Sequence, residues 1–114
     1  MKKTKMTNST YIALVEELLS KLENSLDNCK NSDIDYQYNN EIFTITFKDK
    51  NLILINKQSS IQEVWLATEI NGYHFQFNPI NQSWICKKTK KNFWRVIEKI
   101  FLDKCNENIF KEIY

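Results

Sequence analysis

The sequence predicts an α+β fold: a two-layer sandwich running helix, antiparallel meander of about six strands, helix, with both helices on one face of the sheet. Three observations predict it. Apolar residues recur at helical spacing near both ends of the chain and at a period of two between them. Asn, Asp and Gly interrupt the middle at short intervals, as turn residues do. The connections they leave are too short for parallel crossovers.

In residues 9–29, Ile12, Val15, Leu19, Leu22, Leu26 and Cys29 recur at alternating steps of three and four, an amphipathic stripe. Ser9 or Thr10 is expected to cap the start. From Asp33 the period becomes two, with Ile34, Tyr36 and Tyr38 on one side and Asp33, Asp35 and Gln37 on the other. Asn39-Asn40 is expected to turn the chain, because Asn tolerates positive φ. Residues 42–47 form a β-branched and aromatic strand, closed by Asp49-Lys50-Asn51. Residues 52–55 and 63–68 are the next two strands. Asn71-Gly72 is the strongest hairpin signal and leads into Tyr73, Phe75 and Phe77, which alternate with His74 and Gln76. Pro79 ends that strand, and residues 83–87 form a sixth. From about Asn92 to the end the helical period returns, with Phe93, Ile97, Ile100 and Phe101 as core stripe.

At 114 residues the chain reads as one domain spanning 1–114. Its 42% apolar and 13% aromatic content can build a core without disulfides or a structural metal. No apolar run approaches the roughly 20 residues that span a bilayer. The basic start MKKTKMTNST lacks a following hydrophobic stretch. A cytoplasmic protein, off the membrane, is therefore expected. Cys29, Cys86 and Cys105 are odd in number and include no CxxC, so they read as inert thiols of a reducing compartment. The net charge of +2 hides a segregation. From Tyr11 to Glu41 seven acids face two lysines, whereas residues 87–91 read KKTKK.

Four constellations could carry chemistry. Glu16, Glu23 and Asp27 share one helix face, and Asp33 and Asp35 lie on the first strand. If helix and strand are neighbours at the sheet edge, five carboxylates converge on a ridge. Crowded like charges favour a hard cation, held in an open, wet and weak site; a solvated helix face is the plainer reading. Trp65 alternates with Val64 and Leu66, which places it with His74 and Gln76 on the face the helices leave open. An exposed Trp on a rigid sheet suits an interface anchor. The run from Lys87 to Lys91, near Trp84 and Phe93, reads as a solvated loop before a helix, with nucleic-acid binding the lesser reading. His74 could pair with Cys86 or Cys29, but a hydrogen-bonded surface histidine is the better reading, and no catalytic motif accompanies it.

The segments Ser32-Asp33-Ile34-Asp35, Thr44-Ile45-Thr46-Phe47, Ile55-Asn56-Lys57-Gln58, Val64-Trp65-Leu66-Ala67-Thr68, Gly72-Tyr73-His74-Phe75 and Trp84-Ile85-Cys86 resemble, in that order, the bacterial frataxin family of the CyaY type. The resemblance covers about Tyr11 to Phe101. It implies the helix–sheet–helix sandwich, and a non-catalytic regulator or iron donor of iron–sulfur cluster assembly that interacts with the cysteine desulfurase and its scaffold protein and modulates the desulfurase. It further implies weak, uncaged binding of ferrous and ferric iron through the acidic ridge, here Glu16, Glu23, Asp27, Asp33 and Asp35. Partner binding falls on Trp65, His74, Glu23, Asp27, Asp33 and Asp35. A monomer is expected. Members of the family are strongly acidic, whereas this chain carries Asn24, Asn28 and Gln37 at ridge positions that are usually acids. Fewer charges weaken cation attraction, so partner binding is expected to outweigh iron storage, and neither ferroxidase activity nor a large iron-loaded assembly is expected.

Overall fold

The computed structural model describes residues 6–29 and 33–110. Helix α1 (Asn8–Asp27) starts two or three residues earlier than the expected caps would place it. Thr7 is extended and its side chain accepts from the Thr10 amide, so the N-cap falls on Thr7 rather than Ser9 or Thr10. The buried stripe is Tyr11, Val15, Leu18, Leu19, Leu22 and Leu26; Ile12 and Cys29 are only partly covered. The helix stops at Asp27, before Cys29.

Six strands follow as a meander: β1 (Asp35–Asn39), β2 (Ile42–Thr46), β3 (Leu52–Gln58), β4 (Glu63–Ala67), β5 (Gly72–Asn78) and β6 (Ser83–Cys86). They pair antiparallel in chain order, leaving β1 and β6 as edges. The β1–β2 turn sits one residue later than expected: Asn40 and Glu41, with φ of 51° and 67°, are its two left-handed residues. The Asn71-Gly72 signal locates the β4–β5 hairpin but not its mechanism. Thr68 closes the turn, its amide donating to the Asn71 carbonyl at 2.8 Å and its hydroxyl accepting from the Asn71 amide at 3.0 Å. Gly72 already belongs to β5, opposite Ala67, without a positive φ. A single 3-10 turn, η1 (Ser59–Ile61), joins β3 to β4 and ends on left-handed Gln62.

Helix α2 (Phe93–Cys105) is capped by Asn92, whose side chain accepts from the Trp94 amide at 2.7 Å. It ends on left-handed Asn106. The chain then returns to the core. Phe110 packs fully buried against Phe101, ring centroids 4.9 Å apart, and against Trp94 at 5.7 Å. Alternation turns Phe43, Ile45, Ile53, Ile55, Val64, Leu66 and Phe75 inward against both helices. Both helices thus cover one face, as the sequence predicts, and the other stays open.

Candidate functional site

Residues of the open face are fixed by register. One row crosses the sheet through Ile42, Asn56, Trp65 and His74, and the next through Thr44, Leu54, Ala67 and Gly72. Trp65 and His74 are direct cross-strand partners. Their rings stack with centroids 4.0 Å apart and planes 8° from parallel. The Trp65 Nε1–H donates to Glu63 Oε1 at 2.8 Å. Trp65 therefore lies on the open face, as expected, but half-buried instead of freely exposed, because His74 covers one side of the indole and Glu63 holds its edge. Ile42, Leu52 and Leu54 share this face and are each about two-fifths exposed, at 40%, 41% and 41%. The open face thus presents a fixed aromatic ring beside exposed aliphatic side chains.

The acidic edge lies where α1 passes β1. Tyr36, on β1, stacks on Phe43 at 5.4 Å and sends its hydroxyl across to α1. That hydroxyl donates to Asp27 Oδ1 at 2.5 Å and approaches Glu23 Oε2 at 3.3 Å. The bond to Asp27, followed by burial and the charges of both acids, holds the phenol well above its ordinary pKa. Glu23 and Asp27 are thus brought together by a tyrosine between them. Asp33 lies in the turn before β1, 4.0 Å from Lys48. Asp35 opens β1 opposite Thr46, alternating away from Tyr36. Glu16 contributes instead to the field at Lys57, which bonds Glu41 at 2.9 Å. Among the described residues no three His, Cys, Asp or Glu side chains gather closely enough to hold a metal ion. The edge is a strip of separate oxygen donors, suited to hard cations and lacking a cage.

A family model described as a frataxin-like domain matches residues 4–107. The chain belongs to the frataxin-like family. It is 42% identical over 107 residues to the iron–sulfur cluster assembly protein CyaY of Buchnera aphidicola subsp. Acyrthosiphon pisum, covering 93% of this chain and 90% of that protein. The protein of the same name from Colwellia psychrerythraea is 37% identical over 92 residues, covering 81% and 84%. Among solved structures, the frataxin of Psychromonas ingrahamii matches with a TM-score of 0.82 at 29% identity, over 90% of this chain and 95% of that one.

Two other constellations of the sequence have a definite place in the fold. The lysine run closes on itself as a tight turn: the Cys86 amide donates to the Lys91 carbonyl at 2.8 Å and the Lys90 amide to Cys86 at 2.9 Å. Trp84 and Phe93, the aromatics beside it in sequence, are core residues and offer no stacking platform. The His74 ring lies on the open face, whereas Cys86 pairs with Phe75 on the helix side, so the thiol reaches only the His74 backbone and not its imidazole. Sequence reasoning missed two residues, Tyr36 as the bridge of the acidic edge and Glu63 as the partner of Trp65. Glu63 was legible as a carboxylate two residues before Trp65 on one strand, and so on one face. No helix among the described residues is long and apolar enough to cross a membrane.

Proposed function

We propose that this frataxin-like chain serves iron–sulfur cluster assembly in the cytoplasm by docking on the cysteine desulfurase and its scaffold protein, whose activity it modulates, with iron as weakly held cargo. The observation that carries this reading is the Trp65–His74 stack on an uncovered sheet face, flanked by exposed Ile42 and Leu54. A tryptophan already held in place adds contact area on docking at little ordering cost. The acids of α1 and β1 give the docking its charge complementarity, setting approach and register on a basic partner. Their oxygen donors suit ferrous and ferric iron. Without a cage, iron is exchanged and not stored, and the reading assigns the chain no catalytic step.

A second reading, partner docking with little iron, draws support from Tyr36. Its hydroxyl occupies lone pairs on Asp27 and Glu23 that iron would otherwise use. The two readings share the docking face. Its test is Trp65→Arg, which should weaken binding to the desulfurase or the scaffold protein at least tenfold, on the order of one hot-spot residue, while leaving the fold intact by circular dichroism. Undiminished affinity in the folded variant would remove the docking face from the account.

A further inference from the structure

One charged group on the open face is shut away from water. Glu63 alternates toward the open side of β4, yet is only 2% exposed. A buried carboxylate persists only where fixed donors replace its hydration, and three side chains supply them here. Oε1 accepts from Trp65 Nε1 at 2.8 Å; Oε2 accepts from Lys87 Nζ at 2.9 Å and Gln76 Nε2 at 3.3 Å. The Tyr11 hydroxyl donates to the Glu63 carbonyl at 2.7 Å and ties this strand position to α1. Burial pushes the carboxyl pKa up, but the bonds from Trp65 and Lys87 outweigh it and hold it below the ordinary value. Stacking on His74 alone would accept the indole in either of two flipped orientations. Only one of them brings Nε1 to Glu63.

We infer that Glu63 is a positioning residue: its enclosed carboxylate selects one orientation of the Trp65 indole against His74 before any partner arrives. The purpose of that preorganisation rests on the docking reading of Trp65. Lys87 completes the device from the far side of β5, so part of the lysine run works as a counter-ion for Glu63.

The test is proton–nitrogen NMR of the indole signals, with Trp65 assigned by its loss in Trp65→Phe. Glu63→Ala should move the Trp65 indole signal and raise its exchange with water, leaving Trp84 and Trp94 unchanged. Glu63→Gln, which keeps an acceptor oxygen, should preserve most of the wild-type signal. Affinity for the scaffold protein should fall roughly tenfold in Glu63→Ala, the worth of one hydrogen bond to a charged group, and be largely restored in Glu63→Gln. Glu63→Met, apolar and of similar length, answers the same question if the alanine variant does not fold. An unchanged Trp65 indole signal in folded Glu63→Ala or Glu63→Met overturns the inference. Undiminished affinity in Trp65→Ala would instead overturn the docking reading, and the purpose given to Glu63 with it, whatever the indole signal shows.

Discussion

Replacing Lys87 with Met removes the only cation bonded to Glu63 among the described residues while keeping most of the aliphatic stem. Stripping one partner from a fully buried ion pair costs about 3–5 kcal/mol. Here the carboxylate is buried but the Lys87 side chain is 48% exposed, so water already screens its end. Halving the cost gives about 2 kcal/mol, or roughly 8 °C in Tm for a chain of this length. The sign of the pH dependence is specific. In the native protein the lowered carboxyl pKa contributes stability above the ordinary Glu value, and that contribution is lost as pH falls through the folded one. Without Lys87, burial dominates and raises the carboxyl pKa. The penalty of the variant is then full at neutral pH and shrinks in acid, where Glu63 takes up a proton. Thermal unfolding of wild type, Lys87→Met, Glu63→Gln and the double variant, at neutral pH and near pH 4–5 where an ordinary Glu titrates, measures both effects. The double variant should be more stable than the sum of its parts by about 1–2 kcal/mol. Additive losses with no pH dependence would refute the argument that Lys87 neutralises an enclosed charge.

Three further outcomes follow from other parts of the molecule. Tyr36→Phe removes the hydroxyl between Asp27 and Glu23. It should strengthen ferrous-iron broadening of amides near both acids and abolish one phenol that otherwise ionises only above the ordinary tyrosine range; NMR and ultraviolet titration read the two effects. Phe110→Ala should cost about 3 kcal/mol in denaturant unfolding, because the ring is fully enclosed by Phe101 and Trp94; a loss below about 1 kcal/mol would show the tail to be dispensable. Gly72→Ala should be neutral or stabilise by up to about 0.5 kcal/mol, since an added Cβ meets nothing within 4 Å and the residue has no positive φ.

The fold was legible because its signals were local and redundant. A period of 3.6 in α1 and α2 and a period of 2 through Tyr73, Phe75 and Phe77 each named the same buried side. That alternation also put Trp65 and His74 together on the open face. Turn mechanics were less legible. The expected strand limits left residues 69–72 between β4 and β5, whereas the loop is 68–71, closed by the Thr68 hydroxyl and amide through hydrogen bonds that composition does not encode. The buried place of Phe110 depends on a chain reversal at left-handed Asn106 that lies past the last helical repeat. Half-burial of Trp65 escaped notice because it depends on side chains from two strands meeting at one point. Of the five ridge acids, only Glu23 and Asp27 meet. Which carboxylates converge is decided by the passage of α1 over β1 and by Tyr36, and neither is a property of spacing.

On the proposed reading, this frataxin-like chain works through its open sheet face and acidic edge. Titrating unlabelled cysteine desulfurase into the labelled chain, and following amide and indole signals, tests it most directly. Signals of Trp65, His74, Leu54 and the residues around Asp27 and Asp35 should shift or broaden first, with the edge responses weakening as salt rises. Responses confined to the α2 side of the molecule, or none at saturating desulfurase, would contradict it.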